Sequence, residues 1–308
     1  MARMAAARPS LPQRIAWRLE AIAFDLFSAV FRLLGVDAAS ASGGALLKLF
    51  GPLTGAHRTA DRNIRLAFPQ MPEPERKRLL SAQWENVGRL FAEFPLTDRL
   101  TPESGRVEIV GGERLRAVAQ ESRACVLISG HFSNWEIMAA VIVHLGVRCQ
   151  ITYRAANNPH IDRRIIEGRR RYGVKLLAPK GGDGSREILD AMKQGQSVAF
   201  LNDQKFNGGT AAPFFGRTVH TAPAPTRLTL RFETEMIPMS VERTRGARFR
   251  VIVHPPIALP RTGDKTADIQ AGVAAVNAFM EERVRARPEE WFWVHKRWPS
   301  EAYADLAG

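Results

Sequence analysis

The sequence predicts an α/β fold with a mixed, mostly parallel central sheet flanked by helices, preceded by a helical N-terminal region. Two observations carry this. Short apolar, β-branched runs alternate with helical patterns of about ten to fifteen residues between residues 107 and 201, as in parallel βαβ units. Notable polar residues stand at the ends of three of those runs, where an open parallel sheet releases its chain towards a ligand crevice.

Residues 13–36 read as a first helix. Residues 38–100 read as helical throughout, broken at Pro52, Pro69 and Pro72, with a long amphipathic run from Pro74 to Phe91. The period then changes: 107–110, 124–129, 147–153, 174–178 and 197–201 are predicted strands. Helices are predicted after Glu136, over 158–172 and over 184–194. Residues 236–243 and 249–254 read as a closing strand pair and 267–287 as a final helix. A chain of 308 residues, 45% of them hydrophobic, can bury a large core, and no linker divides it. A helical subregion (1–100) and an α/β core (101–308) are therefore expected to form one continuous domain.

The formal net charge of +13 calls for an anionic partner: nucleic acid, an anionic membrane or a phosphorylated substrate. Arg163, Arg164, Arg169, Arg170, Arg171 and Lys175 concentrate much of it in one helical segment, but no nucleic-acid motif accompanies them and nucleic acid is not expected as a partner. Two cysteines, Cys125 and Cys149, suit a reducing compartment and offer no metal-ligand spacing. There is no GxGxxG loop, P-loop or GxSxG elbow, so neither cofactor nor metal is expected and a serine hydrolase is disfavoured. In residues 13–36 the longest uncharged run is six residues, too short to span a bilayer or to serve as a signal peptide. An amphipathic helix in the membrane interface, with Trp17, Phe24, Phe27 and Phe31 towards lipid, fits better, although the same aromatics could pack on the core.

The strand ending in Gly130 is followed by His131-Phe132-Ser133-Asn134-Trp135-Glu136. Its histidine and carboxylate can act as base and orienter at the crevice, or Ser133 and Glu136 can form a helix capping box. Arg154, Asn157 and Asn158 end the next strand, and Asn202, Asp203 and Gln204 a third, so three strands would aim chemistry at one edge.

Taken in order, these stretches, with Phe214-Phe215-Gly216, Thr221 and Trp293-Val294-His295-Lys296-Arg297, resemble the late acyltransferases of bacterial lipid A biosynthesis over about residues 15–298. A looser H-x4-D/E element is shared with glycerolipid acyltransferases. His220 and the Ala222-Pro223-Ala224-Pro225 tract depart from the pattern. The resemblance implies an acyltransferase on the cytoplasmic face of the cell inner membrane. It would move a fatty acyl chain from acyl carrier protein to a hydroxyl of a lipid A precursor, with no covalent intermediate. His131 would be the general base and Glu136 would fix its tautomer. Arg154 would meet a phosphate or the oxyanion and Asp203 would brace the site. Asn157, Asn158, Gln204, Phe215, His295 and Arg297 would complete the substrate site, and Phe132, Trp135 and Phe214 would line an acyl groove. The alternatives are acylation of another glycolipid or a lysophospholipid, or a non-catalytic basic protein that binds membranes or nucleic acid.

Overall fold

The computed structural model describes residues 9–179, 182–304 and 306. Four helices precede the sheet. The first, α1 (Leu11–Leu34), starts where the Ser10 hydroxyl accepts the Gln13 amide and stops at Gly35, whose φ of +76° disfavours a side chain. Next come α2 (Val36–Phe50), α3 (Gly55–Ala67) and α4 (Glu73–Glu93), with the three predicted proline breaks falling between them. Gly43 and Gly88 let α2 and α4 cross closely: a Cβ on Gly88 would lie 2.1 Å from the Gly43 carbonyl oxygen.

The remaining chain runs β1 (Val107–Val110), α5 (Glu113–Gln120), β2 (Cys125–Ser129), α6 (Glu136–His144), β3 (Cys149–Tyr153), α7 (Pro159–Arg171), β4 (Leu177–Pro179) and α8 (Gly182–Lys193). It continues through β5 (Ser197–Leu201), β6 (Thr210–Phe214), β7 (Arg217–Thr221), α9 (Ala224–Arg231), β8 (Glu235–Arg245), β9 (Arg248–Val253), α10 (Lys265–Ala286) and α11 (Ser300–Ala304). Seven strands form one sheet in the order β1-β9-β8-β2-β5-β3-β4. The run β8-β2-β5-β3-β4 is parallel, and β9 returns antiparallel along β8. Because parallel crossovers are right-handed, α6 and α7 cover one face, while α8 and α9, whose connections run back the other way, cover the other. The three strands expected to share a functional edge, β2, β5 and β3, are neighbours and all parallel.

Four elements are unforeseen: α5, the β6–β7 hairpin, α9, and α11, which follows the helix expected to be the final one. Ala211, Ala212 and Pro213 are poor strand formers, tolerable in a two-stranded ribbon outside the main sheet. The Ala-Pro tract before residue 226 is the start of α9, because proline is preorganised for a first helical turn.

No helix among the described residues is long and apolar enough to cross a membrane. Yet α1 leaves Leu11, Ile15, Leu19, Ile22, Leu26, Val30 and Leu33 exposed at three- and four-residue spacing, and Leu46, Leu49, Phe50 and Leu53 are exposed nearby in sequence. The aromatics expected to face lipid do so poorly: Phe31 is buried and Trp17 and Phe24 are half-buried, leaving Phe27 as the exposed one. The reason is that α1 turns this side to the body of the protein. There Asn158 binds the Trp17 carbonyl, Arg164 binds Asp25, and Arg32 binds Asp98.

Candidate active site

The residue after β2 is a closely packed glycine. A Cβ on Gly130 would lie 2.8 Å from the Phe132 ring and 3.1 Å from an Asp203 carboxylate oxygen. That close approach lets Asp203, just past β5, hold the next residue twice: its Oδ2 accepts the His131 backbone N–H at 2.8 Å, and its Oδ1 lies 2.7 Å from His131 Nδ1. Trp291 Nε1 donates to Oδ2 at 2.7 Å. Burial alone would raise the Asp203 pKa. The adjoining His131 and these hydrogen bonds outweigh it and hold the carboxyl well below its usual range. An ionised Asp203 requires a proton on Nδ1, leaving the lone pair on Nε2, a tautomer assigned from the network. His131 lines a small cavity, of about 10 Å³, with Gln204, Phe292, His295 and Arg297, and Gln204 Nε2 lies 3.4 Å from its Nε2.

The carboxylate expected to hold the imidazole therefore does not. Glu136 opens α6 and its oxygens are taken across the helix layer by Arg169 (2.6 and 3.0 Å) and Tyr172 Oη (2.9 Å). Burial disfavours its charge, but Arg169 prevails and keeps its pKa below the usual value. The capping box is absent as well: Ser133, at φ +45°, has a buried hydroxyl without a partner, and its N–H goes to the Glu290 carbonyl. The loop is instead clamped by neighbours. Phe132 bridges to Trp291, and Asn134 donates to Glu93, which is fully buried and paired with Arg243.

The other expected site residues divide. Arg154 and Asn157 are exposed on the loop after β3; burial lowers the His295 pKa, His131 lowers it further, and Arg154 lies near enough to add a smaller effect of the same sign. Asn158 is structural: its Oδ1 caps α7 and its Nδ2 binds Trp17 and Glu20 of α1. Arg297 is 2% exposed and is pulled down to about 10, chiefly by burial. It binds the His220 carbonyl, Thr221 and Asn277, while its Nε is buried without a partner. Phe215 is buried in the core. With Gly216 it forms the tight turn of the β6–β7 hairpin, at φ +50° and +69°, and its ring packs on Phe68, Phe214 and Trp298.

Two of the three residues assigned to an acyl groove are core. Phe132 is buried under the His131 loop, and Phe214 is 1% exposed among Trp291, Trp298 and the Arg297 guanidinium. Trp135 does line an apolar cleft, its ring edge-on to His131 at 4.8 Å. This narrow cleft, of about 60 Å³, runs between α6 and the sheet past Met138, Ala139, Ile142, Ile151 and Leu201, with Glu136 and Arg169 among its walls. The sequence pointed to Arg169 only as part of a basic cluster, and to Tyr172 and Trp291 not at all. Arg169 and Tyr172 are three apart, the spacing that puts two side chains on one helical face, which was the available signal.

Relatives of this chain are acyltransferases. The lipid A biosynthesis palmitoleoyltransferase of Escherichia coli K12 is 26% identical over 265 residues, spanning 82% of this chain and 81% of that protein. The lipid A biosynthesis lauroyltransferase of the same strain is 26% identical over 248 residues, 77% of this chain and 76% of that one. The crystal structure of the 1-acyl-sn-glycerophosphate acyltransferase PlsC from Thermotoga maritima aligns over 90% of this chain and 99% of its own, with a TM-score of 0.37 and 12% identity. A family profile spanning most of the chain makes the protein an acyltransferase. The profile of the bacterial lipid A biosynthesis acyltransferases matches residues 16–300, and the chain belongs to that family.

Proposed function

We propose that the enzyme moves a fatty acyl chain from an acyl carrier protein thioester to a hydroxyl of a lipid A precursor at the cytoplasmic face of the inner membrane. His131 is the general base. The observation that carries the reading is the His131–Asp203 pair: it fixes the tautomer in which Nε2 of the neutral ring carries the lone pair, and the imidazole stands beside an apolar cleft. A thioester is already activated, so no covalent nucleophile is needed. The acceptor hydroxyl gives its proton to Nε2 and its oxygen attacks the thioester carbonyl, with the imidazolium stabilised by Asp203. The tetrahedral intermediate collapses with loss of thiolate, which recovers the proton from His131. Base catalysis of this kind contributes about 10²- to 10⁴-fold.

The acyl chain occupies the cleft at Trp135, because exposing it to water would cost about 0.8 kcal/mol per methylene. Glu136 and Arg169 neutralise each other at its wall, so the cleft suits an uncharged chain. Arg154, exposed at the same sheet edge, meets an acceptor phosphate or the oxyanion. Acidic acyl carrier protein is drawn to a chain of net charge +13. The aliphatic stripe of α1 lies in the membrane interface.

The test is mass spectrometry of lipid A from cells lacking this gene product and complemented with the wild type or with His131→Ala. The wild type should restore one acyl chain and the variant should not. Restoration by the variant, or no change in lipid A on deletion, would refute the reading, and acceptor profiling with purified enzyme would then identify another glycolipid or a lysophospholipid.

A further inference from the structure

A second and larger cleft opens on the opposite face of the sheet, between α8 and α9, with a volume of about 590 Å³. Its walls are hydrocarbon from Ile188, Leu189, Phe200 and Leu228, and Lys205, Arg227 and Arg231 stand among its lining. None of these three cations has a carboxylate partner among the described residues; Arg231 lies only over the Phe232 ring, at 5.7 Å. The contrast with the cleft at Trp135 is chemical, since there the one guanidinium is consumed by Glu136. Gln204 is the common wall: it lines this cleft and also the small cavity at His131, with its amide 3.4 Å from His131 Nε2.

Direct transfer requires donor and acceptor to be bound together on either side of the base. One cleft offers neutral hydrocarbon surroundings, the other hydrocarbon beside uncompensated positive charge. We infer that the α8–α9 cleft is the acceptor site: it takes a hydrocarbon chain of a phosphate-bearing lipid, with a phosphate held by Lys205, Arg227 and Arg231 and the hydroxyl delivered past Gln204 to His131. This rests on the acyl-transfer reading above and adds to it where the acceptor lies and what recognises it.

The experiment measures initial rates with purified enzyme, acyl carrier protein thioester and a phosphorylated lipid A precursor in neutral detergent micelles. It compares the wild type, the double variant Arg227→Glu/Arg231→Glu and the cleft-filling variant Leu189→Trp. Arg227 and Arg231 are exposed, so their reversal leaves the core intact. Loss of charge-assisted phosphate bonds should raise the acceptor KM about tenfold or more in the double variant, an effect that shrinks as salt is added. Leu189→Trp should raise it without that salt dependence, and the donor KM should not move in either. Unchanged acceptor KM in both variants of an active enzyme would overturn the cleft assignment. So would a rise confined to the donor KM, which would give the cleft to the thioester's phosphate-bearing arm. A wild type silent towards this acceptor would instead refute the reaction itself.

Discussion

Replacing Asp203 with asparagine is the most informative perturbation of the site, because the outcome follows from which oxygen does what. Oδ2 accepts two N–H groups, from His131 and Trp291, while Oδ1 faces only His131 Nδ1. An asparagine keeps most of these bonds by placing its oxygen where Oδ2 was, which turns its NH₂ towards Nδ1. Nδ1 must then accept, the ring proton moves to Nε2, and the base has no lone pair. The anion that would stabilise the imidazolium is lost as well. In a Ser-His-Asp triad the same change lowers kcat about 10⁴-fold. For Asp203→Asn we expect a fall of about 10³- to 10⁴-fold, or about 4 to 5 kcal/mol of transition-state stabilisation. The stability cost should be smaller, about 1–3 kcal/mol for the mismatched donor. Acyl transfer from a thioester donor, with a thermal melt of the same preparation, separates the two effects. A folded Asp203→Asn enzyme within tenfold of wild-type activity would show that Asp203 does not set the tautomer of His131.

Three further expectations follow from other parts of the molecule. Leu19→Glu/Ile22→Glu, on the exposed stripe of α1, should abolish cosedimentation with anionic vesicles, since burying one such side chain is worth roughly 1.5–3 kcal/mol; undiminished binding would place the membrane contact elsewhere. Ala139→Leu narrows the cleft at Trp135 and should shift donor preference to shorter acyl chains, by about 0.8 kcal/mol for each methylene excluded, in competition assays with mixed donors. His254, whose Nε2 lies 2.8 Å from the Ser240 hydroxyl, is lowered to about 4, first by burial and then by the Arg283 charge. The unfolded chain takes up a proton below about pH 6.5 that the folded chain refuses, so stability should decline as pH falls from about 6.5 to 4. His254→Gln should flatten that slope in denaturant titrations, and an unchanged slope would exclude His254 as its source.

Much of the sheet was legible because buried parallel strands are continuous apolar runs. The 107–110 and 197–201 strands coincide with the structure, and 124–129 and 236–243 differ only at their ends. The hairpin was not legible, since Ala211, Ala212 and Pro213 interrupt its strand pattern and its register is set by a turn in which Phe215 as well as Gly216 takes a left-handed conformation. At the site, the sequence offered His131 with a carboxylate five residues on, and local spacing favoured that pair. The actual partner lies 72 residues away, just past the end of the neighbouring strand. A βαβ topology makes such pairings, but only the strand order, with β5 beside β2, reveals which ones. Likewise Asn158 and Phe215 stand in motif positions yet serve the scaffold, one tying α1 to α7 and the other closing a hairpin.

The central claim is that the imidazole of His131 removes the acceptor's proton and that no side chain of the enzyme carries the acyl group. Single-turnover transfer by His131→Ala, with thermal unfolding of the same sample, tests it most directly. A folded variant slowed about 10²- to 10⁴-fold, and no acyl adduct in the intact mass of wild-type enzyme quenched during turnover, is the predicted result. A variant that transfers at the wild-type rate, or a wild-type chain heavier by one acyl group, would contradict it.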